Sequence, residues 1–395
     1  MQKPSSHRIA SIDIFRALTM FLMIFVNDLW TLNNIPEWLG HAKAAEDRMG
    51  LSDWVFPGFL FIVGLSIPFA IQARQKKGQT KVRIFWHIIK RSFALIVMGF
   101  FMVNLENING DLLSYSKYIW QLLMALAFVM IWNIYPDNKA FKKIPQWVME
   151  ALGVIVLIIL AATFKGGSAE EPHWMTPHWW GILGIIGWAY FLCATIYLFI
   201  GEKILYIILV LIVFHILNVM EFTSILGVRF PIRIMVSASN HVSVTSGILA
   251  TLLYIHYGKR HQPGRFLGYL LLFAVISVVY GFLTRPEWGI SKIRATPSWT
   301  AICAGISFFA FGTLYIISDL LKKTSWASII GPAGRSTLTC YLVPYFYYAI
   351  MAMVGIYLPD ALKTGYIGIV KTLLFAYLII YITGLMEKVN IRLKI

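Results

Sequence analysis

Twelve apolar runs, each close to the length that crosses a hydrocarbon core, follow one another almost end to end through this 395-residue chain. They lie near 10–30, 53–73, 84–104, 118–135, 147–164, 180–200, 203–219, 241–258, 266–284, 299–318, 337–358 and 365–385. About 20 apolar residues suffice for a helix to span a bilayer. In lipid only helices and closed barrels satisfy every backbone polar group, and the short alternating segments of a membrane barrel are absent. With 58% hydrophobic and 13% charged residues, a soluble domain is excluded. The chain is expected to be all-α: a polytopic membrane helical bundle of about 10–12 transmembrane helices. It reads as a single integral domain over 1–395, in which the tightly joined stretch 180–219 can be taken as an inserted helix pair.

Charge placement orients the bundle, because Lys and Arg concentrate on the cytoplasmic side. With the N-terminus inside and twelve crossings, the inner face collects 22 of the 34 basic residues and 6 of the 18 acidic ones. Among them are Lys3, Arg8, the Arg74–Arg91 cluster, Lys139, Lys142, Lys143, Arg335, Arg392 and Lys394. N- and C-termini are therefore both expected in the cytoplasm. The net charge of +16 is mostly a topology signal and needs no nucleic-acid partner. The first run carries Asp13 and Arg16 and no small-residue cleavage site, so it is expected to remain a span rather than be removed as a secretory signal.

Polar groups at membrane depth are costly and mark candidate sites. One span ends in Asn27-Asp28, a short loop carries Glu37 and His41, and the next span opens at Asp53. A neutral imidazole can take up a proton near neutral pH, and a carboxylate partner would fix its tautomer. The alternatives are an exposed loop histidine and an Asp53 that only caps its helix, since Asp before an apolar run with Pro57 in its first turns is a helix start. Asn104, Gln121, Asn240, His241 and Arg294 are the further polar candidates for binding a substrate. Asp13 and Arg16, three apart, share a helical face and can pair. With Lys90 and Arg91 they form an inner charged group suited to a phosphorylated co-substrate, or to no more than anionic lipid. His173 and His178 are five apart with two prolines nearby, which excludes a regular helical metal pair, and no metal is expected. The neighbouring tryptophans suit an interfacial belt or a sugar-stacking platform. No phosphate-binding loop motif occurs, and Cys193, Cys303 and Cys340 lie unpaired in apolar spans.

These residues carry a resemblance to the heparan-α-glucosaminide N-acetyltransferase family of transmembrane acyltransferases. It rests on Arg8-Ile-Ala-Ser-Ile-Asp-Ile-Phe-Arg16-Ala, Ile24-Phe-Val-Asn27, His41-Ala, and Ser52-Asp-Trp-Val-Phe-Pro57 with the following Phe-Ile-x-Gly64. Arg91-Ser-Phe and the block Pro332-x-Gly-x-Ser336-x-Leu-x-x-Tyr341 complete it. The family's Gln-Arg pair stands here as Gln121-Leu122, its Asp-Pro-Glu-Gly-Ile-Leu as Val244-Thr-Ser-Gly247-Ile-Leu, and the 180–219 pair exceeds its ten-helix core. The resemblance, placed in a bacterial branch, implies an inner-membrane enzyme with acetyl-CoA as a cytosolic co-substrate and acetylation of a glucosamine-type amino sugar at the far, periplasmic face. By motif position His41 matches the active-site histidine, a general base, and Asn27 the asparagine that assists it. Direct attack by the amine and an acetyl-histidine intermediate both remain open. The expected partners are membrane lipids, the amino sugar and, among the assemblies allowed, a homodimer. A sugar transporter of the N-acetylglucosamine type and an O-acyltransferase of an envelope glycan are the competing readings. The absence of a counterpart of the His41 helix pair in the second half of the chain weighs against a repeat-built transporter.

Overall fold

The structure is a computed structural model that describes residues 9–135, 145–223 and 236–395. Lys3, Arg8, Lys139, Lys142 and Lys143 lie outside the described residues. All twelve apolar runs are helices. They are α1 (Ala10–Asp28), α2 (Leu51–Gln75), α3 (Lys81–Glu106), α4 (Lys117–Trp132), α5 (Gln146–Thr163) and α6 (Gly181–Ile200). The series continues with α7 (Ile204–Met220), α8 (Ala238–His256), α9 (Pro263–Trp288) and α10 (Pro297–Tyr315). A one-turn α11 (Gly331–Arg335) then precedes α12 (Thr337–Val354) and α13 (Gly365–Lys388). Nine of these helices are long and apolar enough to cross a membrane among the described residues, and α4 and α7 are apolar but shorter. A pairing of Gly166–Gly167 with Pro172–His173 is the one strand ladder among the described residues.

Helix α8 explains the centre of the bundle. Its Ser, Thr, Asn and His side chains could not face lipid without loss, and every residue from Ala238 to Leu253 is buried. It packs against α2, α6, α7 and α10. The approach to α2 is backbone to backbone, since a Cβ on Gly64 would collide with the Val244 carbonyl and one on Gly247 with that of Phe61. Small residues permit such contact between membrane helices. Beside it, Phe15, Phe61, Phe308 and Phe311 interlock α1, α2 and α10. On the periphery, α5 and α9 expose Ile158, Ile159, Leu271, Val275, Phe282 and Leu283, the apolar exterior that a lipid-facing helix requires.

Buried polar groups fasten the helix ends. The Asp319 carboxylate accepts from the backbone N–H groups of Ala10 and Ser11, at 3.0 Å each, satisfying two of the donors that the first turn of α1 leaves open. At the other end of α1, Asp28 accepts from Lys371 at 2.7 Å, from Thr372 at 2.7 Å and from Tyr348 at 2.5 Å. That network ties α1 to α12 and α13 next to Asn27. Lys371, an isolated mid-span lysine in the sequence, thus has an anion to neutralise it, as burial in lipid demands. The pair 180–219 is not peripheral in its first half, since α6 packs against α3, α2 and α8.

Candidate active site

The loop between α1 and α2 folds back on the start of α2. The backbone of Leu51 donates to the Trp38 carbonyl at 2.7 Å, and the Ser52 hydroxyl donates to that of Leu39 at 2.6 Å. Asp53 is the third residue of α2, not its N-cap, which is Gly50. Its buried carboxylate divides its work between the two roles the sequence left open. Oδ2 accepts from the backbone N–H groups of Gly50 and Ala42, each at 3.0 Å. Oδ1 lies 2.7 Å from Nδ1 of His41. Capping and orienting therefore coexist in one side chain. Asp53 is 1% exposed and His41 is 49% exposed, so the imidazole stands in the cavity on a buried carboxylate. The acceptor on one edge fixes the proton on Nδ1 and leaves Nε2 as the basic nitrogen.

Proline reinforces the seat. Pro57 has no N–H to give the Asp53 carbonyl four residues earlier, and that carbonyl accepts from the Trp299 indole at 3.2 Å instead. This bond brings α10, and the connection leading into it, against the start of α2.

His41 opens onto a cavity of about 1030 Å³ lined by Asn27, Phe56, His178, Trp179, Trp180, Glu221, Asn240, Lys292, Arg294 and Trp299. A second cavity, of about 400 Å³, begins deeper in the bundle and reaches the opposite helix ends. Arg16, Arg91, Arg335, Arg392 and Lys394 line it beside an apolar wall of Met20, Phe59, Ile62, Leu95 and Ile186. Met23 and Ile182 line both. The two cavities are therefore neighbours there, in the loop-end half of α1 and within the first turn of α6.

The candidates drawn from the sequence divide accordingly. His41, Asn27, Asn240 and Arg294 share the loop-end cavity, with Asp53 beneath His41. Arg16 and Arg91 share the basic-end cavity, and Asp13 sits beside Arg16 with its carboxylate 3.2 Å from the guanidinium. Lys90, on the same helix as Arg91, is exposed and lines neither cavity. Asn104, Gln121 and His241 also line neither cavity, and each is used in helix packing. The Asn104 amide donates to Phe100 and Thr176 and accepts from the Thr176 N–H. Gln121 donates to the Tyr345 carbonyl at 2.7 Å, joining α4 to α12, and the buried His241 ring packs on Phe214, centroids 5.1 Å apart. The rings of His173 and His178 are 6.3 Å apart, and among the described residues no group of three or more His, Cys, Asp or Glu could hold a metal ion.

Lys292 is the residue sequence reasoning missed. It lies between α9 and α10, with Nζ 3.2 Å from Nδ1 of His41. Asp47 holds that connection in place. It accepts from Arg285 at 2.9 Å and from the Ile290 N–H at 2.6 Å, while Ser291 donates to the Ala44 carbonyl at 3.2 Å. Burial alone would raise the Asp47 carboxyl, but the Ile290 N–H and the Arg285 guanidinium outweigh it and hold the group below the usual Asp value. Burial pulls the Lys292 ammonium below the usual lysine range, opposed by the charge of Asp53.

Comparisons with known proteins cover part of the chain. Residues 8–178 match the family model described as heparan-alpha-glucosaminide N-acetyltransferase, catalytic. The mouse heparan-alpha-glucosaminide N-acetyltransferase is 33% identical over 188 residues, covering 41% of this chain and 27% of that protein. The human protein of the same name is 35% identical over 114 residues, covering 28% of this chain and 16% of that one. The chain thus aligns with about a quarter or less of the length of these relatives. The matched region contains Arg16, Asn27, His41, Asp53 and Arg91, while Lys292 and the Trp299 bond come from beyond it. Through residues 8–178, this chain is similar to the heparan-alpha-glucosaminide N-acetyltransferase catalytic family.

Proposed function

We propose that the protein is a transmembrane acetyltransferase that takes acetyl-CoA at its basic, cytosolic end and acetylates an amino sugar of the glucosamine type at the His41 end. The observation that carries this reading is that the basic cavity and the His41 cavity are neighbours, with Met23 and Ile182 in both linings. A route from the basic cluster to His41 would run past these two side chains. Acetyl-CoA supplies the acetyl group as an activated thioester. Its fit rests on the donor set present: guanidinium groups of Arg16, Arg91, Arg335 and Arg392 for phosphate oxygens, and the apolar wall above them for a slender linker. Asp13 and Lys90 flank this end.

At the other end His41 acts as general base. Nε2 accepts the proton of the attacking amine, and Asp53 holds the ring and balances the charge the ring acquires. Asn27, at the last turn of α1, lines the same cavity and serves as an amide donor toward the carbonyl oxygen under attack. Trp179, Trp180 and Trp299 give a sugar ring faces to stack on, and Asn240 and Arg294 supply polar contacts around it. The termini lie in the cytoplasm of a bacterial cell, and the His41 loop faces the periplasm.

The test is purified protein with acetyl-CoA and glucosamine. Free CoA should appear only when the sugar is present, with N-acetylglucosamine as the product, and His41→Ala should abolish both. Sugar flux into vesicles without acetyl-CoA, unchanged by His41→Ala, would replace this reading with a transporter, and acetyl groups found on hydroxyls alone would replace the amine as acceptor.

A further inference from the structure

Lys292 has no assigned part in this reaction, and its surroundings are unusual for a lysine. It is half-buried on the wall of the loop-end cavity, on a connection held by Asp47 against the His41 loop. Among the described residues no carboxylate stands within ion-pair distance of it, although Asp53 is close enough to be felt. Its neighbour, Nδ1 of His41 at 3.2 Å, already gives its proton to Asp53 at 2.7 Å and has no lone pair to offer. An ammonium carries three donors and no acceptor, so here all three are available to the cavity. A half-buried cation whose nearest carboxylate lies beyond ion-pair distance is costly, and that cost falls when an anion arrives.

We propose, resting on the acetyl-transfer reading above, that Lys292 is a further catalytic residue, its ammonium facing the negative charge that develops on the thioester oxygen. As the amine nitrogen bonds to the thioester carbon, the C=O electron pair moves onto oxygen, and Nε2 of His41 takes the amine proton. When that pair returns, the C–S bond breaks with its electrons on sulfur, and the proton held on His41 passes to the thiolate to give free CoA. Asn27 and Lys292 lie on the same cavity and between them supply an amide and a cationic donor during the interval of negative charge. Burial also leaves the ammonium weakly hydrated, which strengthens its interaction with an oxyanion.

The experiment is the pH dependence of acetyl-CoA turnover with glucosamine in the wild-type protein, Lys292→Met and Lys292→Arg. The groups that face Lys292 are His41 on its loop, Asp53 on α2 and Cys303 on α10, with His178, Glu221 and Arg294 around the cavity. None is changed by these substitutions. The Lys292 charge is lost as pH rises through a value below the ordinary lysine one. The wild-type rate should therefore fall on the alkaline side, whereas Lys292→Arg, charged throughout, should lose that alkaline limb. Lys292→Met should lower kcat about 100-fold or more, with KM for the sugar within about threefold. If Lys292→Met fails to fold, Lys292→Gln is measured in its place. Lys292→Met within fivefold of wild type, or an unchanged alkaline limb in Lys292→Arg, would overturn the proposal while the acetyltransferase reading stands. A wild-type protein that transfers no acetyl group would overturn both.

Discussion

Replacing Asp53 by Asn tests the site through a single proton. Oδ2 of Asp53 accepts from two backbone N–H groups at 3.0 Å, and Oδ1 from His41 at 2.7 Å. An asparagine keeps only one acceptor oxygen. Turning its NH2 toward Gly50 and Ala42 would forfeit two hydrogen bonds worth about 1 kcal/mol each and set donors against donors. The amide oxygen therefore stays on the backbone pair, and the NH2 faces His41. Nδ1 must then become an acceptor, the ring proton moves to Nε2, and the base is lost. The same substitution beneath a catalytic histidine in serine proteases lowers kcat by about 10⁴ through the wrong tautomer. We expect a fall of about 10³–10⁴-fold here, equivalent to about 4–5.5 kcal/mol in the barrier. The cap survives, so the thermal unfolding midpoint should move by only a degree or two. The assay is sugar-dependent CoA release by purified Asp53→Asn protein in detergent, alongside its melting curve. Turnover within tenfold of wild type would refute the tautomer argument. Inactivity accompanied by a collapse in stability would show that Asp53 matters only as a cap.

Other substitutions test the frame around the site. Asp28→Asn leaves Lys371 as a buried cation without its anion and should cost about 3–5 kcal/mol. Combining it with Lys371→Met should restore most of the loss, read as unfolding midpoints in one detergent. Gly247→Ala drives a Cβ into the Phe61 carbonyl and should destabilise by about 1–3 kcal/mol, whereas Gly264→Ala meets open space and should be neutral or slightly stabilising. Met23→Trp adds bulk to a side chain that lines both cavities. It should reduce acetyl transfer at least about 100-fold while binding of desulfo-CoA at the basic end, followed by calorimetry, is retained.

The helices were legible because membrane segments announce themselves by length and apolarity, and all twelve runs coincide with helices to within a few residues. The His41–Asp53 pair was legible for a different reason, since its members lie 12 residues apart on one hairpin and local chain geometry confines them. Long-range partners left no such trace. Lys292 meets His41 across 251 residues, and Lys371 meets Asp28 across 343. The available signal was a lysine in a short loop that the topology places on the side where basic residues are scarce. Asn104, Gln121 and His241 show the opposite limit. A polar residue at membrane depth must be satisfied, but nothing in the sequence says whether a ligand or a neighbouring helix does so.

Sidedness is the heart of the proposed function. Reconstituted in sealed liposomes, oriented protein should acetylate glucosamine present only on the His41 side when acetyl-CoA is present only on the basic side. The product should stay with the sugar and the free CoA with the donor, and His41→Ala should stop both. Acetylation that requires the two substrates in the same compartment would contradict transfer through the bundle.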